Sequence, residues 1–440
     1  SATYTSTTLA NSDVVTVVMT SNATPCLAGS PATSNSVTMT VNALPATPTI
    51  SGTLFTYKGA TTQLTGSPAG GSWTSSQPAV ATVDASGLVS GLTAGTITVT
   101  YTITNASGCS SSTTASVTIY AANNWLGTVS SDWNNPANWS DNVVPNGSND
   151  NAVINSGTPH DPVMNSNVSV KNFVLLGTSI TSINNYNLSI YGAVSGTGTL
   201  RGTNASGINF AGTGDQGSLL MDQSADGTTN ALKTLTMSGS GTFTLGSKAQ
   251  VFDALQPNTG TMNLNGVNLV LHSDATNTAR IDPVTGTLSG ANNVTAERYV
   301  SSYGNRAYRL LAPMVTTSTS INANWQEGKI NPDSLTNIPA DQKGYGTHIT
   351  GLNGHLNGFD ETGSNESSLY AYDPLVQDWT TIDNTNINTL DAMKGYLIYI
   401  RGNRDSLNTL TSVDPVLGPS SIATLRATGT VKQGDRKSVV

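Results

Sequence analysis

The sequence predicts an all-β protein built as a row of small β-domains, and three observations carry that reading. Charged residues are only 10% of the 440 positions, against roughly 25% in an average globular chain. Ser, Thr, Asn and 43 Gly take the polar positions instead, and these residues compete with or loosen a helical backbone while suiting turns. Val- and Thr-rich runs alternate with the strand period, as in Thr96-Ile97-Thr98-Val99-Thr100-Tyr101, which gives one apolar and one polar face. The length exceeds one compact β-domain, so several are expected.

Composition also excludes partners. Net charge is −8 with 18 Lys+Arg and no basic cluster, so nucleic acid lacks the cations that would neutralise its phosphates. No apolar run approaches the ~20 residues of a membrane helix, so membrane insertion is not expected. Ser1 opens directly in strand-like sequence without a signal peptide, and export signals for a secreted protein are expected to lie outside this chain or to have been removed.

Residues 1–43 alternate through Val14–Thr20 and Ser36–Val41, about three strands, too few for a sandwich of roughly seven. Leu44-Pro45-Ala46-Thr47-Pro48 reads as a stiff linker. Residues 49–120 form the clearest domain, with Trp73 as an aromatic anchor, a turn at Asp84–Gly87 and a long alternating run at Thr96–Ile103. Residues 121–296 open with Trp125, Trp133 and Trp139. Short strands follow between Gly/Asn turns, at Val168–Val170, Leu188–Ile190, Ile208–Phe210 and Leu232–Met237, irregular in period but of rung length. Residues 297–440 form a further β-rich module, with its one helix expected at Thr389–Lys394. Cys26 and Cys109 stand at equivalent positions of two repeats, each preceded by Asn (Asn22, Asn105), so they face partners in their own domains rather than each other.

Several segments resemble known families. Ser72 to Tyr101, with Trp73, Ala79-Val80-Ala81-Thr82-Val83, Gly87-Leu88-Val89-Ser90-Gly91 and Ala94-Gly95-Thr96-Ile97-Thr98-Val99-Thr100, resembles the bacterial Ig-like group 2 domain, a β-sandwich used as a spacer or binding module on bacterial surfaces. In related repeats a second cysteine often sits near the domain start, where this chain reads Phe55-Thr56-Tyr57-Lys58-Gly59, leaving Cys109 open as a free thiol. Tyr4 to Asn22 resembles the second half of repeats in large gliding-motility adhesins of Bacteroidetes. The Trp-rich segment is similar to the entry of secreted β-helix and autotransporter-like regions. The 297–440 set resembles a module preceding the sorting domain of type IX-secreted proteins. These resemblances imply tandem Ig-like β-sandwiches, a β-solenoid-like region and a C-terminal β-rich module. They also imply that the chain starts and stops mid-domain, with Thr424–Gly429 leading into further strands.

No catalytic set rises above background: G-x-S-x-G, H-E-x-x-H and a Gly-rich loop before a helix are all absent. The sparse carboxylates Asp161, Asp215, Asp222 and Asp226 are not tied to one face. His348 and His355 with Asp360 could hold a metal if a loop folded back, though ordinary loop histidines are the expectation. Ca²⁺ is the one candidate cofactor, with oxygen ligands from Asn149 and Asp150 or from Asp360, Glu361 and Glu366. Trp125, Trp133 and Trp139 are a candidate glycan-stacking platform, against the favoured reading of a cap on the first rung. For Trp325, Trp379, Tyr370 and Tyr372, sugar contact and core packing are equally compatible with the sequence. Asp-Ser-Leu triplets put candidate O-glycosylation at Ser334 and Ser406.

The expectation is therefore a non-enzymatic, extracellular cell-surface adhesin or stalk, attaching by many weak contacts. Its expected partners are surface glycans, abiotic surfaces, other copies of itself, or outer-membrane secretion and anchoring proteins. The alternatives are a fibre subunit completed by strand exchange and a polysaccharide-binding or -degrading accessory protein.

Overall fold

The structure, a computed structural model, describes residues 3–21, 31–121, 123–301, 307–329, 346–362, 364–392, 394–404 and 422–433. It is nearly all-β and divides into two compact units, residues 1–122 and 123–440.

In the first unit two four-stranded sheets face each other. One runs Thr49–Gly52, Thr61–Ser67, Leu88–Gly91, Ala81–Val83; the other runs Phe55–Tyr57, Ser110–Tyr120, Gly95–Thr104, Ser72–Ser75. The alternation of Gly95–Thr104 fixes which face is inside. Ile97, Val99 and Tyr101 are buried while Thr96 and Thr98 are exposed. Leu64, Ala81, Val89, Val117 and Ile119 complete the core from the facing strands. Trp73, expected as the buried anchor, is half-buried and packs on Tyr101 at 4.4 Å. Tyr101 is the deeper ring: its hydroxyl donates to the Pro68 carbonyl (2.7 Å) and accepts from the Gly71 N–H (2.8 Å). Gly66 and Gly71 are required there, because a Cβ on either would overlap that ring.

Preceding this sandwich, the described residues of 3–43 form two-residue strands: Val14–Val15 against Val37–Thr38, and Val18–Met19 against Ala32–Thr33. Val14, Val17, Val18, Met19 and Val37 are all more than half exposed. These strands pair without burying an apolar face.

In the second unit strands stack in parallel on two long faces. The first runs from Asn123–Trp125 through Asn151–Ile154, Asn172–Leu175 and Val194–Gly196 to Asp215–Leu219, Thr242–Leu245, Thr261–Asn263 and Thr287–Ser289. The second runs from Val168–Val170 through Asn187–Ile190, Gly207–Phe210, Ala231–Met237, Ala249–Pro257 and Leu269–Leu271 to Val294–Val300. A short third side is formed by Ile180–Ser182 beside Thr199–Arg201. One turn near the start takes 20 residues, the separation at which the Asn187 N–H reaches Asn167 Oδ1 (2.9 Å). Later turns are longer because loops at 222–230 and 272–279 are inserted between strands that stay in register, Ile208 beside Leu235 and Leu269 beside Val294. Those insertions are why the period looked irregular in the sequence.

Inside the stack, like sits on like. Val168, Leu188, Ile208, Leu235 and Leu255 form one column, and Phe210 lies flat on Phe243 at 4.1 Å and 9°. Burial is therefore continuous from turn to turn, and no single rung has a core of its own.

Antiparallel strands end the stack. Ala423–Val431 pairs with Val294–Val300 along its length, from Val294 opposite Gly429 to Val300 opposite Ala423, and Val315–Thr317 pairs on its other side. The module boundary expected at 296/297 thus falls inside a strand. The tail strand Ala423–Val431 itself lies between two strands of this sheet. The edge at Val315–Thr317 is covered in turn, since the Thr317 N–H donates to Leu390 O (2.9 Å) and the Leu390 N–H to Thr317 Oγ1 (3.0 Å).

Those bonds also correct the helix expected at Thr389–Lys394. Its described residues form no helix, because their backbone groups serve the neighbouring strand. Among the described residues the α-helix is instead at Ile321–Trp325, where Ser320 Oγ accepts from the Ala323 N–H (3.2 Å) as the N-cap.

Candidate functional site

The remaining sheet of the second unit runs Ala307–Leu311, Tyr396–Ile400, Leu369–Asp373, Asp378–Thr381, antiparallel throughout. Alternation splits its residues between two faces. Leu369, Ala371, Tyr396, Ile398 and Ile400 point inward and join the core. The other face carries Tyr308, Leu310, Leu397, Tyr399, Tyr370, Tyr372 and Trp379. The register makes this certain: Tyr308 is opposite Tyr399, Tyr370 opposite Leu397, and Tyr372 opposite Trp379.

Tyr308 is 46% and Tyr372 36% exposed, and Tyr370, Tyr399 and Trp379 are half-buried. The rings touch edge to face, Tyr308 on Tyr399 at 5.1 Å, Tyr308 on Tyr370 at 6.0 Å, and Tyr372 on Trp379 at 5.4 Å, a geometry worth about 0.5–1.5 kcal/mol per pair. Burial, then a hydrogen bond with Tyr370, pushes the Tyr308 hydroxyl up to about 12. The Tyr370 hydroxyl donates a hydrogen bond to the Ser367 carbonyl (3.0 Å). Arg401 lies over the Tyr399 ring at 4.8 Å. The face is therefore a row of ordered rings with polar tips, suited to weak stacking and hydrogen bonding with an outside partner and not to proton transfer.

The glycan platform expected at Trp125, Trp133 and Trp139 is not on the surface. The three indoles are 0%, 0% and 2% exposed. Each Nε1–H donates to a backbone carbonyl, of His160 (2.7 Å), Pro145 (3.2 Å) and Trp133 (2.9 Å) respectively. They pack on one another and on Phe173 of the next rung, 5.9 Å from Trp133. No ring face is left for a sugar. Trp325, 3% exposed, is likewise core. Trp379, Tyr370 and Tyr372, which the sequence left undecided, lie on the outer face.

The expected Ca²⁺ ligand Asp360 is fully buried and its carboxylate is occupied. Oδ1 accepts from Arg404 Nη2 (2.8 Å) and Oδ2 lies 2.7 Å from His348 Nδ1, with all three side chains at 0% exposure. A guanidinium this close takes the place a cation would need. His348 and Asp360 do meet, as the metal reading required, but His355 pairs elsewhere, with Glu361 at 2.8 Å. Glu366 is exposed, and its carbonyl accepts from the Thr350 hydroxyl (2.7 Å). Asn149 and Asp150 are exposed on a turn where Asp150 Oδ2 accepts from the Asn146 N–H (3.1 Å). Among the described residues no three His, Cys, Asp or Glu side chains gather closely enough to hold a metal ion.

Asp222 and Asp226 share one loop, each paired with a cation from a neighbouring rung, Arg201 at 2.8 Å and Lys248 at 2.5 Å. Burial works upward on Asp226, but hydrogen bonds from Lys248, Asn230 and Gln250 outweigh it and hold the carboxyl at about 2. It is a fixed charge, not an acid–base group. Cys109 is a free thiol. Cys26, Ser334 and Ser406 lie outside the described residues.

The sequence reading missed Tyr308 and Tyr399. The pattern Tyr396-Leu397-Ile398-Tyr399-Ile400 is apolar at both parities, so alternation alone could not say which tyrosine faces out. A signal was present in Arg401, two residues beyond Tyr399, which marks that parity as the wet one.

A family model for the intimin immunoglobulin-like domain matches residues 58–107, the span from just after the second strand of the sandwich, Phe55–Tyr57, to the turn after Gly95–Thr104. No curated protein and no solved structure matches the chain. No helix among the described residues is long and apolar enough to cross a membrane. The chain carries an Ig-like domain similar to those of bacterial surface adhesins, a non-enzymatic type, which points to a surface or extracellular protein.

Proposed function

We propose that the chain is a non-enzymatic, extracellular attachment protein whose contact with a surface is made by the outward ring-bearing face of the C-terminal sheet. The observation that carries this is the set of five aromatic residues on one face, each partly exposed, in a sheet whose other face is core. The Ig-like sandwich then serves as a spacer, and attachment is multivalent where several copies are displayed together. Gliding motility, type IX secretion and O-glycosylation at Ser334 and Ser406 are the finer form of this proposal and rest on the sequence resemblances alone, while a Ca²⁺ at Asn149 and Asp150 rests on their loop oxygen atoms.

The test is retention under flow. Beads coated with the 440-residue chain should hold to glycan-bearing bacterial or host cell layers better than albumin-coated beads, and Trp379→Ala should release them. Equal retention of the two bead types would sink the reading.

A second reading, a fibre subunit completed by strands of another copy, is favoured by the apolar side chains left exposed between Val14 and Val37. It requires light scattering that rises with concentration and falls when Val17 and Met19 are replaced by Ser.

A further inference from the structure

We infer that the cavity lined by the closing strand Ala423–Val431, its neighbour Val294–Val300 and the segment 310–314 binds a small monocarboxylate, with the apolar body inside and the carboxylate on Arg298. This goes beyond the attachment reading and stands or falls independently of it.

Side-chain size opens the cavity. Ala296 lies opposite Ala427, and Arg298 opposite Leu425. These four share one face of the ladder, and all of them line a space of about 200 Å³. Two facing alanines are too short to fill it. Leu311, Pro313, Met314 and Trp325 supply most of the remaining apolar lining.

Burial is graded along that lining. Trp325, Leu425 and Ala427 are at most 3% exposed, whereas Leu310 is 72% exposed and Arg298 is exposed too. The cavity therefore has a closed apolar end and an open end, and the cation stands at the open one. Its size limits the occupant. An apolar cavity of roughly 150 Å³ holds benzene, so a single ring or a short alkyl chain fits here. A drug-sized molecule, which needs roughly 300 Å³ or more, does not.

Charge sets the head group. No described residue forms a hydrogen bond or ion pair with the Arg298 side chain. Glu297 also lines the cavity, but alternation turns its side chain to the opposite face of the strand. There its carboxylate is held by Arg426 Nε at 2.8 Å and His272 Nδ1 at 2.9 Å. Arg298 is thus left as an uncompensated charge beside an apolar space. A carboxylate takes two N–H bonds from one guanidinium, whereas an ammonium head would meet like charge.

The experiment is saturation-transfer NMR on the 440-residue chain, titrated with phenylacetate, hexanoate, phenylethanol and phenethylamine. The alcohol and the amine keep the ring and change the head. At least one acid should bind saturably, about tenfold or more tighter than phenylethanol, with phenethylamine weakest. Arg298→Gln should remove the advantage of the acid and leave phenylethanol unchanged. Ala296→Leu, which fills the cavity, should abolish binding of both. Arg298 is exposed, so its replacement keeps the test valid even where Ala296→Leu disturbs folding, which circular dichroism would report. Trp379→Ala, which tests the ring-bearing face, should change none of these results. The inference is overturned by no saturable binding of either acid, by an alcohol or amine that binds as tightly, or by acid binding indifferent to Arg298→Gln. Binding lost in Trp379→Ala and kept in a folded Ala296→Leu would also overturn it, by moving the ligand to the rings.

Discussion

The Ig-like sandwich and the parallel stack hide their strands in different ways. The sandwich closes on itself: two four-stranded sheets bury a small core of Leu64, Ala81, Val89, Ile97, Val99, Val117 and Ile119, and every one of those residues lies within a span of sixty. In the stack each rung buries its apolar edge only against the rungs before and after it, so the core runs unbroken from Trp125 to Val431. A sandwich of this kind can be placed wherever a chain needs a spacer. A stack has two open ends, and its first and last rungs must be finished by something that is not a rung. Here the first is finished by three buried indoles and the last by antiparallel strands drawn from beyond residue 314.

If the two units are energetically separate, damage to one should leave the other's unfolding transition in place. The largest effect is expected from Asp360→Ala, which leaves the Arg404 guanidinium buried without its carboxylate and should cost the second unit about 3–5 kcal/mol. Calorimetry should show the transition of residues 123–440 falling while that of the sandwich stays. A joint fall would break the comparison.

Ile97→Ala is the reciprocal change. It opens a cavity beside Val99 and Val117 and should cost the sandwich about 2–5 kcal/mol, leaving the second transition unmoved. The same calorimetric scan reads both.

The smallest effect concerns the stack's ion pairs and sharpens the comparison by pH. The Asp226 carboxyl is held at about 2, below its ordinary 3.8, so its contribution to stability is present above the ordinary value and is lost as pH falls toward 2. Lys248 is partly exposed and solvent screens the pair. Lys248→Met should move the carboxyl upward in a proton NMR titration while shifting stability by no more than about 1 kcal/mol. An unmoved titration would mean that Asn230 and Gln250 hold the charge alone.

The sandwich was legible in the sequence because its strands are long and strictly alternating, as Thr96–Ile103 shows. The stack was legible only as a row of short apolar pairs. Its turns at 222–230 and 272–279 vary in length while the strands keep register, so the period that would identify it is hidden in the inserted loops. The indoles at 125, 133 and 139 were visible as a cluster, but whether a ring faces sugar or Phe173 depends on a partner nearly forty residues away. Asp360 was misread for the same reason. As an Asp-Glu pair in a loop it looked like an oxygen ligand, and only the fold brings Arg404 to it. Alternation failed in Tyr396–Ile400, where both parities are apolar and the deciding fact is which neighbours lie underneath.

The closing strand has a consequence in time. Rungs from Asn123 to Val300 can form in chain order, each strand meeting a partner some 20 residues behind it. Arg426 meets Glu297 across 129 residues, a far longer loop to close. Until the chain has been delivered as far as Val431, the edge of Val294–Val300 has no permanent neighbour and is open to any strand that passes. The arrival of the last described strand, and no earlier step, ends that exposure.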